Sequence, residues 1–359
     1  MASYQKVFIL NDLMIAARMH RIGDRLTIDR VEIPSVTSQD VLVKVRASGI
    51  CHSDLNYRGG IAPVGRLPIT LGHEIAGIVE KKGKKVSELF EGDRVLVHYI
   101  ISCKRCRYCK TGLENYCSEY QMIGKDVDGG FAEYVRVPAN SIVKLPKTIP
   151  FEQAAIMGCA VATAYHALRR GRVRRRDVVM IIGVGGLGMH AVQLASKIFK
   201  AGLVIAVDLV DWKLKMSKSF GSSEVVNVSN QNLTDVVAKI TDGKFADVVL
   251  DFVGHKSTID NGITCLGKGG RMVLVGIGAK SMKVSPYSII IGREIEIVGV
   301  DDHLKTELLE LVRLVRSGGL DLSRSVTHRV GLEDVNHGFE ILESGREHVV
   351  RVVTVNEHA

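Results

Sequence analysis

The chain has 359 residues, 46% of them hydrophobic and 24% charged, with a formal net charge of +9. At about 150 residues per domain this length points to two domains, each able to bury a core without staples, and the composition excludes dominant disorder. The start, MASYQKVFILNDLMIAARMH, lacks the pattern of a secretory signal, and no uninterrupted apolar run approaches a membrane span, so a cytoplasmic location with no membrane partner is expected.

Residues 1 to about 155 read as a β-rich, turn-rich module. DVLVKVRASG alternates apolar and polar residues from Val41 to Val45, as a half-buried strand does, and GHEIAGIVEKKG and GDRVLVHYI add further strands with Gly-Asp turn chemistry. There are seven cysteines, an odd count that argues against a disulfide framework. Cys103, Cys106, Cys109 and Cys117 have the spacing C-x2-C-x2-C-x7-C, which suits a closed tetrahedral cage for structural zinc. Lys104, Arg105, Arg107 and Lys110 would offset the charge of four thiolates. An iron–sulfur cluster is the chemical alternative.

Arg169, Arg170, Arg172, Arg174, Arg175 and Arg176 crowd into one short stretch. It reads either as a phosphate or nucleic-acid patch or as a solvated loop before a buried strand. No aromatic residue is interleaved and no nucleic-acid module occurs elsewhere, which favours the loop and no nucleic-acid partner.

From about 160 to 300 short apolar runs alternate with helix-length amphipathic segments. The runs are VVMII, LVIAVD, ADVVLDFVG, RMVLVGIG and IEIVGV; between them lie LGMHAVQLASKI, KLKMSKSFG and LTDVVAKITDG. That alternation predicts βαβ units and a parallel sheet. VVMIIGVGGLGMH places Gly183, Gly185 and Gly188 in a G-x-G-x-x-G pattern between a strand and a helix, the context that gives the pattern meaning. The first glycine permits the tight turn, the second lets a pyrophosphate approach, and the third lets helix pack on strand. Gly186, Leu187 and Val275 count with this cofactor site. Asp208 ends the second strand, where a carboxylate binds ribose hydroxyls and repels a 2′-phosphate, so NAD is expected over NADP. Asp208 also reads as a turn or capping residue. LKTELLELVRLVRSGG then predicts a helix closed by Gly318 and Gly319, and VVRVVTV a last strand returning to the first domain. His166, His190 and Cys265 read as structural residues.

The order GICHSD, GHEIAG, GDRV, the four-cysteine loop, MGCAVATAYHAL and the glycine-rich turn resembles the zinc-containing alcohol dehydrogenases of the medium-chain dehydrogenase/reductase superfamily, over nearly the whole chain. The resemblance implies an α/β Rossmann domain over 160–299 and a β-rich, partly open barrel of GroES-like type over 1–159 and 300–359. It implies two zinc ions per chain, the catalytic one held by Cys51, His73 and Cys159 with an open fourth position. Asp54 would orient His73. Glu74 would lie behind the metal, as a possible ligand or an aid to ligand exchange; it also reads as a buried charge paired with an arginine. Ser53 would touch the alcohol oxygen, His52 and Arg351 the cofactor phosphates, and Thr163 the nicotinamide. Tyr99, Ile61 and Ala62 would border the substrate pocket. Asn56 stands where the family's proton relay often ends on a histidine, which leaves the terminal proton acceptor open.

The implied reaction is reversible hydride transfer between a small-molecule alcohol and NAD, giving an aldehyde or ketone, in a dimer or tetramer. A polyol or sugar dehydrogenase is the near alternative, disfavoured because such enzymes often use Glu where this chain has Cys159. A zinc-free double-bond reductase and a non-enzymatic zinc- or nucleotide-binding protein are the more distant ones.

Overall fold

The segment DVLVKVRASG forms the long strand Asp40–Ile50, which organises the N-terminal half of the chain. Along one side it pairs antiparallel with Glu74–Lys82. Along the other it pairs first with Tyr134–Pro138 and then with the final strand Arg351–Val355. Shifts of register against Glu74–Lys82, between Leu42 and Val43 and between Val45 and Ala47, interrupt the ladder, as bulges do where a sheet bends. The alternation expected from Val41 to Val45 gives way to burial on both faces over Ala47–Ile50. The seven-stranded sheet is completed by Arg94–Val97, Ile142–Lys144 and Val326–Gly331, and it does not close into a barrel. Val326–Gly331 and Arg351–Val355 run parallel, with the helix Val335–Ser344 between them in the chain. Two smaller sheets flank this one, and the shorter, Ile100–Ile101 with Gln121–Met122, brackets the four-cysteine loop.

This computed structural model describes residues 13–278, 281, 287–345 and 348–356; residues 1–12, on which the expectation of no leader partly rests, lie outside them. The chain divides into two units, one of Met1–Gly158, Ser325–Glu347 and Arg351–Ala359, the other of Cys159–Arg324 and His348–Val350. Among the described residues no helix is long and apolar enough to cross a membrane.

The second unit is a six-stranded sheet, parallel throughout, in the order Glu224–Asn227, Leu203–Asp208, Val178–Ile182, Ala246–Asp251, Leu266–Leu274, Glu296–Gly299. This is the doubly wound order 3-2-1-4-5-6, whose ligand crevice lies at the carboxyl ends of the strands where the order reverses. The central strands are apolar because helices cover both faces: Val179, Met180, Ile181, Val204, Ile205, Ala206, Val248, Val249 and Leu250 are all buried.

The segment 300–324, expected with the first domain, belongs to the second unit. Side-chain contacts explain why. The helix Lys305–Arg316 offers Glu307 to His166 Nδ1 at 3.0 Å and Glu310 to the Tyr165 hydroxyl at 2.7 Å, while Gln193 donates to the Asp321 carbonyl at 2.7 Å. His166 is thus a structural residue tied to a buried carboxylate. The arginine-rich turn is exposed, with Arg169 paired to Glu310 and Arg172 to Glu296.

Candidate metal centres and dinucleotide turn

The four-cysteine loop builds its site locally. Cys106 caps the short helix Arg107–Lys110, its sulfur accepting the Cys109 amide at 3.5 Å. Cys103 sulfur accepts the Cys106 amide at 3.4 Å, and Cys117 sulfur accepts the Cys103 amide at 3.5 Å. Amide donors stabilise thiolates: the backbone of Arg105 and Cys106 draws Cys103 down to about 6. Burial pushes Cys109 up to about 11, the direction a bound cation would oppose. Cys106 and Cys109 sulfurs are 3.5 Å apart and Cys103 and Cys109 sulfurs 3.9 Å apart. Zinc–sulfur bonds of about 2.3 Å in a tetrahedron require edges of about 3.8 Å, so the cage fits the ion. Arg105 is bound to Glu119 and Arg107 to the Tyr108 hydroxyl, each at 2.6 Å, so the basic neighbours serve the loop's surface as well as its charge.

The second centre is assembled from remote segments. Cys51 ends the long strand and precedes the helix His52–Arg58, His73 and Glu74 open the strand Glu74–Lys82, and Cys159 lies in the π-turn Met157–Val161. One ligand atom from each of Cys51, His73, Glu74 and Cys159 lies within 4.8 Å of the others, and all four residues are buried. Asp54 organises this end of the strand. One carboxylate oxygen accepts the Cys51 amide at 2.9 Å; the other accepts the Gly72 amide at 3.2 Å and lies 3.4 Å from His73 Nδ1. Although Nδ1 stands near Asp54, neither buried ring nitrogen of His73 has a hydrogen-bond partner among the described residues, a costly arrangement that a metal bond would relieve at one of them. Burial works against a charged His73, but the Asp54 carboxylate and the Cys51 sulfur prevail and hold it well above its ordinary value. The same negative surroundings favour a divalent cation.

Glu74 is fully buried, and burial pushes its carboxyl up to about 7 against the pull of the Arg351 guanidinium. Arg351 donates to Glu74 Oε2 at 2.5 Å and is 1% exposed. A contact of Arg351 with cofactor phosphates stays an expectation; in this structure its guanidinium is the counter-ion of Glu74, because a carboxylate buried so completely requires one. Gly49 makes this possible, since a Cβ there would lie 1.9 Å from Glu74 Oε2. Sequence reasoning missed Gly49; its only trace is its place opposite Glu74 in the strand register.

The remaining residues fall unevenly around the centre. Ser53 Oγ is 3.7 Å from Cys51 sulfur and Thr163 Oγ1 is 3.9 Å from Cys159 sulfur. His52 is exposed at the head of its helix. Tyr99 is buried, its ring edge-on to His73 at 5.2 Å, so it packs against the histidine. Ile61 is 70% exposed, on a turn whose Ile61 and Ala62 amides both reach the Asn56 carbonyl.

In the second unit the glycine-rich turn behaves as its chemistry requires. Gly183 has φ +83°, and a Cβ at Gly188 would lie 2.0 Å from the Gly183 carbonyl oxygen, so neither tolerates a side chain. Gly185 meets nothing within 4 Å, which leaves its backbone open to a ligand. Leu187 precedes the helix Gly188–Lys197 without a side-chain cap, and the Gly186 carbonyl accepts a 2.6 Å bond from His190 Nδ1. Uncapped amides at a helix start are an anion site. Asp208 accepts the Val184 amide at 3.0 Å through one oxygen and the Leu209 and Val210 amides through the other, so it braces the turn. Val275 is half-buried at the end of Leu266–Leu274, its amide on the Asp251 carbonyl. Asp251, which the sequence did not single out, is buried beside this turn and accepts Val253, Gly254 and Thr258.

Residues 37–147 match the alcohol dehydrogenase GroES-like domain and residues 186–316 match the zinc-binding dehydrogenase domain. An alcohol dehydrogenase of Geobacillus stearothermophilus is 33% identical over 336 residues, covering 93% of this chain and 97% of that one. The chain belongs to the zinc-containing alcohol dehydrogenases of the medium-chain dehydrogenase/reductase superfamily. An L-threonine 3-dehydrogenase of Symbiobacterium thermophilum is 33% identical over 340 residues, covering 93% of this chain and 96% of its own. The solved alcohol dehydrogenase of Aeropyrum pernix superposes with a TM-score of 0.87 at 34% identity, covering 95% of this chain and all of that one. Matched relatives also include proteins named sorbitol dehydrogenase and L-idonate 5-dehydrogenase. At the level of the family the protein is a zinc-dependent alcohol or polyol dehydrogenase.

Proposed function

We propose that the protein oxidises a simple alcohol to an aldehyde or ketone, reversibly, with NAD as hydride acceptor. The observation that carries this reading is the convergence of Cys51, His73, Glu74 and Cys159, remote in sequence, within 4.8 Å of one another. A zinc ion held by Cys51, His73 and Cys159 would supply Lewis acidity at the alcohol oxygen, and NAD the redox chemistry. Asp54, 3.4 Å from His73 Nδ1, would orient the ring so that Nε2 meets the metal. Ser53, beside the Cys51 sulfur, is placed to take the hydroxyl proton and pass it outward. Asn56, one helical turn further, offers a carboxamide and no base, so the proton leaves this chain through solvent or a ribose hydroxyl. Arg351 holds Glu74 in place behind the cluster and opposes the upward pull of burial on its carboxyl. The open face of Gly185, the uncapped start of Gly188–Lys197 and the carboxylate of Asp208 support a dinucleotide without a 2′-phosphate. A cytoplasmic oligomer with a second, structural zinc in the four-cysteine loop completes the proposal.

A polyol substrate is the second reading, favoured by Glu74 within reach of the metal position and by relatives named for polyols. Steady-state NAD reduction with a panel of primary, secondary and polyhydric alcohols separates the two. Simple alcohols are expected to give the higher kcat/KM. Preference for polyols would transfer the assignment, and no turnover with either class would refute both.

A further inference from the structure

The reversal of strand order in the six-stranded sheet falls between Val178–Ile182 and Ala246–Asp251. Asp208 stands on one side of that point, at the end of Leu203–Asp208. On the other side, two loops leave the carboxyl ends of Ala246–Asp251 and Leu266–Leu274. A dinucleotide laid across the reversal with its adenosine ribose at Asp208 puts its nicotinamide half over these two loops.

Asp251 ties the two loops to each other. It is level with Ile182 on one neighbouring strand and with Leu274 on the other, and its side chain is fully buried. Oδ1 accepts the Val253 amide at 2.9 Å and the Gly254 amide at 3.3 Å. Oδ2 accepts the Thr258 hydroxyl at 3.0 Å, at the start of the helix Lys256–Thr264. The Asp251 main-chain carbonyl accepts the Val275 and Gly276 amides, each at 3.0 Å, and the Phe252 amide donates to the Ile182 carbonyl at 3.0 Å. There is no slack between these segments: a Cβ at Gly254 would lie 2.3 Å from the Gly276 carbonyl oxygen, and one at Gly183 would lie 2.6 Å from Val253 Cγ2. A shift of residues 252–254 is therefore passed to the glycine-rich turn on one side and to the 275–276 segment on the other. Burial raises the Asp251 carboxyl above its ordinary value against the pull of its three donors, and bonds to a carboxylate hold a loop more firmly than bonds between neutral groups.

We propose that Asp251 is a positioning residue for the nicotinamide half of the cofactor: it fixes the 252–254 loop against the glycine-rich turn and the 275–276 segment, and so sets the surface on which that half rests. Its carboxylate is fully buried and acts through the amides it holds. The inference rests on the dinucleotide reading given above. The adenosine half, on the Asp208 side of the reversal, does not depend on it.

Calorimetric titration of the full-length, zinc-loaded protein with NADH and with ADP-ribose, which lacks the nicotinamide, tests this. Asp251→Ala is expected to weaken NADH binding by at least ~10-fold and ADP-ribose binding by less than ~2-fold. Asp251→Asn keeps the Oδ1 acceptor and offers its amide to the Thr258 hydroxyl, so its NADH affinity should stay within ~3-fold of wild type. Should Asp251→Ala fail to fold, Thr258→Val, which removes only the hydroxyl, decides: it should weaken NADH by about 3-fold and leave ADP-ribose unchanged. A purely structural role would lower both affinities together and would overturn the proposal. So would an NADH affinity that the deciding variant leaves unchanged, or an Asp251→Asn protein as weak as Asp251→Ala. A wild-type protein that binds neither ligand would refute the dinucleotide reading itself, and this inference with it.

Discussion

The two cysteine-bearing centres of the first half of the chain are built in opposite ways. The four-cysteine loop draws its ligands from fifteen consecutive positions, 103–117, and holds them with amide–sulfur bonds inside the loop. The second centre draws Cys51, His73 and Cys159 from a strand end, a strand start and a π-turn, and holds them by Asp54 and by the ion pair of Glu74 and Arg351. A local cage is written into spacing. A distributed one exists only once the sheet has formed, so its support is part of the fold itself.

That contrast divides the expected effects of substitution. The largest falls on turnover: His73→Ala should lower kcat/KM by ~10³-fold or more, the several kcal/mol that metal polarisation supplies. It should leave the melting temperature of the cysteine loop's zinc-bound form unchanged. Cys106→Ser should do the reverse, lowering the melting temperature by on the order of 10 °C while the remaining folded enzyme keeps its kcat, read by calorimetry and by activity per folded molecule. Equal loss of turnover in both would erase the distinction.

Arg351→Met strips the counter-ion from a buried carboxylate, and urea unfolding should register a loss of about 3–5 kcal/mol. Most of it should return in the double variant with Glu74→Gln, which removes the stranded charge. Additive losses would show that Arg351 acts by packing alone. Asp54→Asn should cost about 10–100-fold in affinity for the metal at the distributed centre, measured by competition with a chelator, and nothing at the loop. Asp208→Gly should shift the ratio of NAD to NADP use by about tenfold, some 1.4 kcal/mol, in initial-rate assays.

The same contrast explains what the sequence disclosed. Cys103, Cys106, Cys109 and Cys117 were legible because their geometry is set by neighbours in the chain. Gly183 and Gly188 were legible because the strand–turn–helix context restricts what fits. The doubly wound sheet followed from apolar runs at regular intervals. Cys51, His73 and Cys159 were found through resemblance and not through spacing, and the pairing of Arg351 with Glu74 was not legible, for a physical reason. The two residues lie 277 positions apart, joined by the pairing of the last strand with the long one. Nothing local in VVRVVTV records that the guanidinium turns inward. The helix Lys305–Arg316 was likewise legible as a helix, but its side of the molecule was decided by Glu307 and Glu310 meeting His166 and Tyr165.

The most direct measurement is the zinc content of purified, folded protein by elemental analysis, wild type against Cys51→Ser. Two zinc ions per chain in the wild type and one in the variant is the result expected of a distributed centre beside an independent loop. Two in both, or one in the wild type, would contradict it.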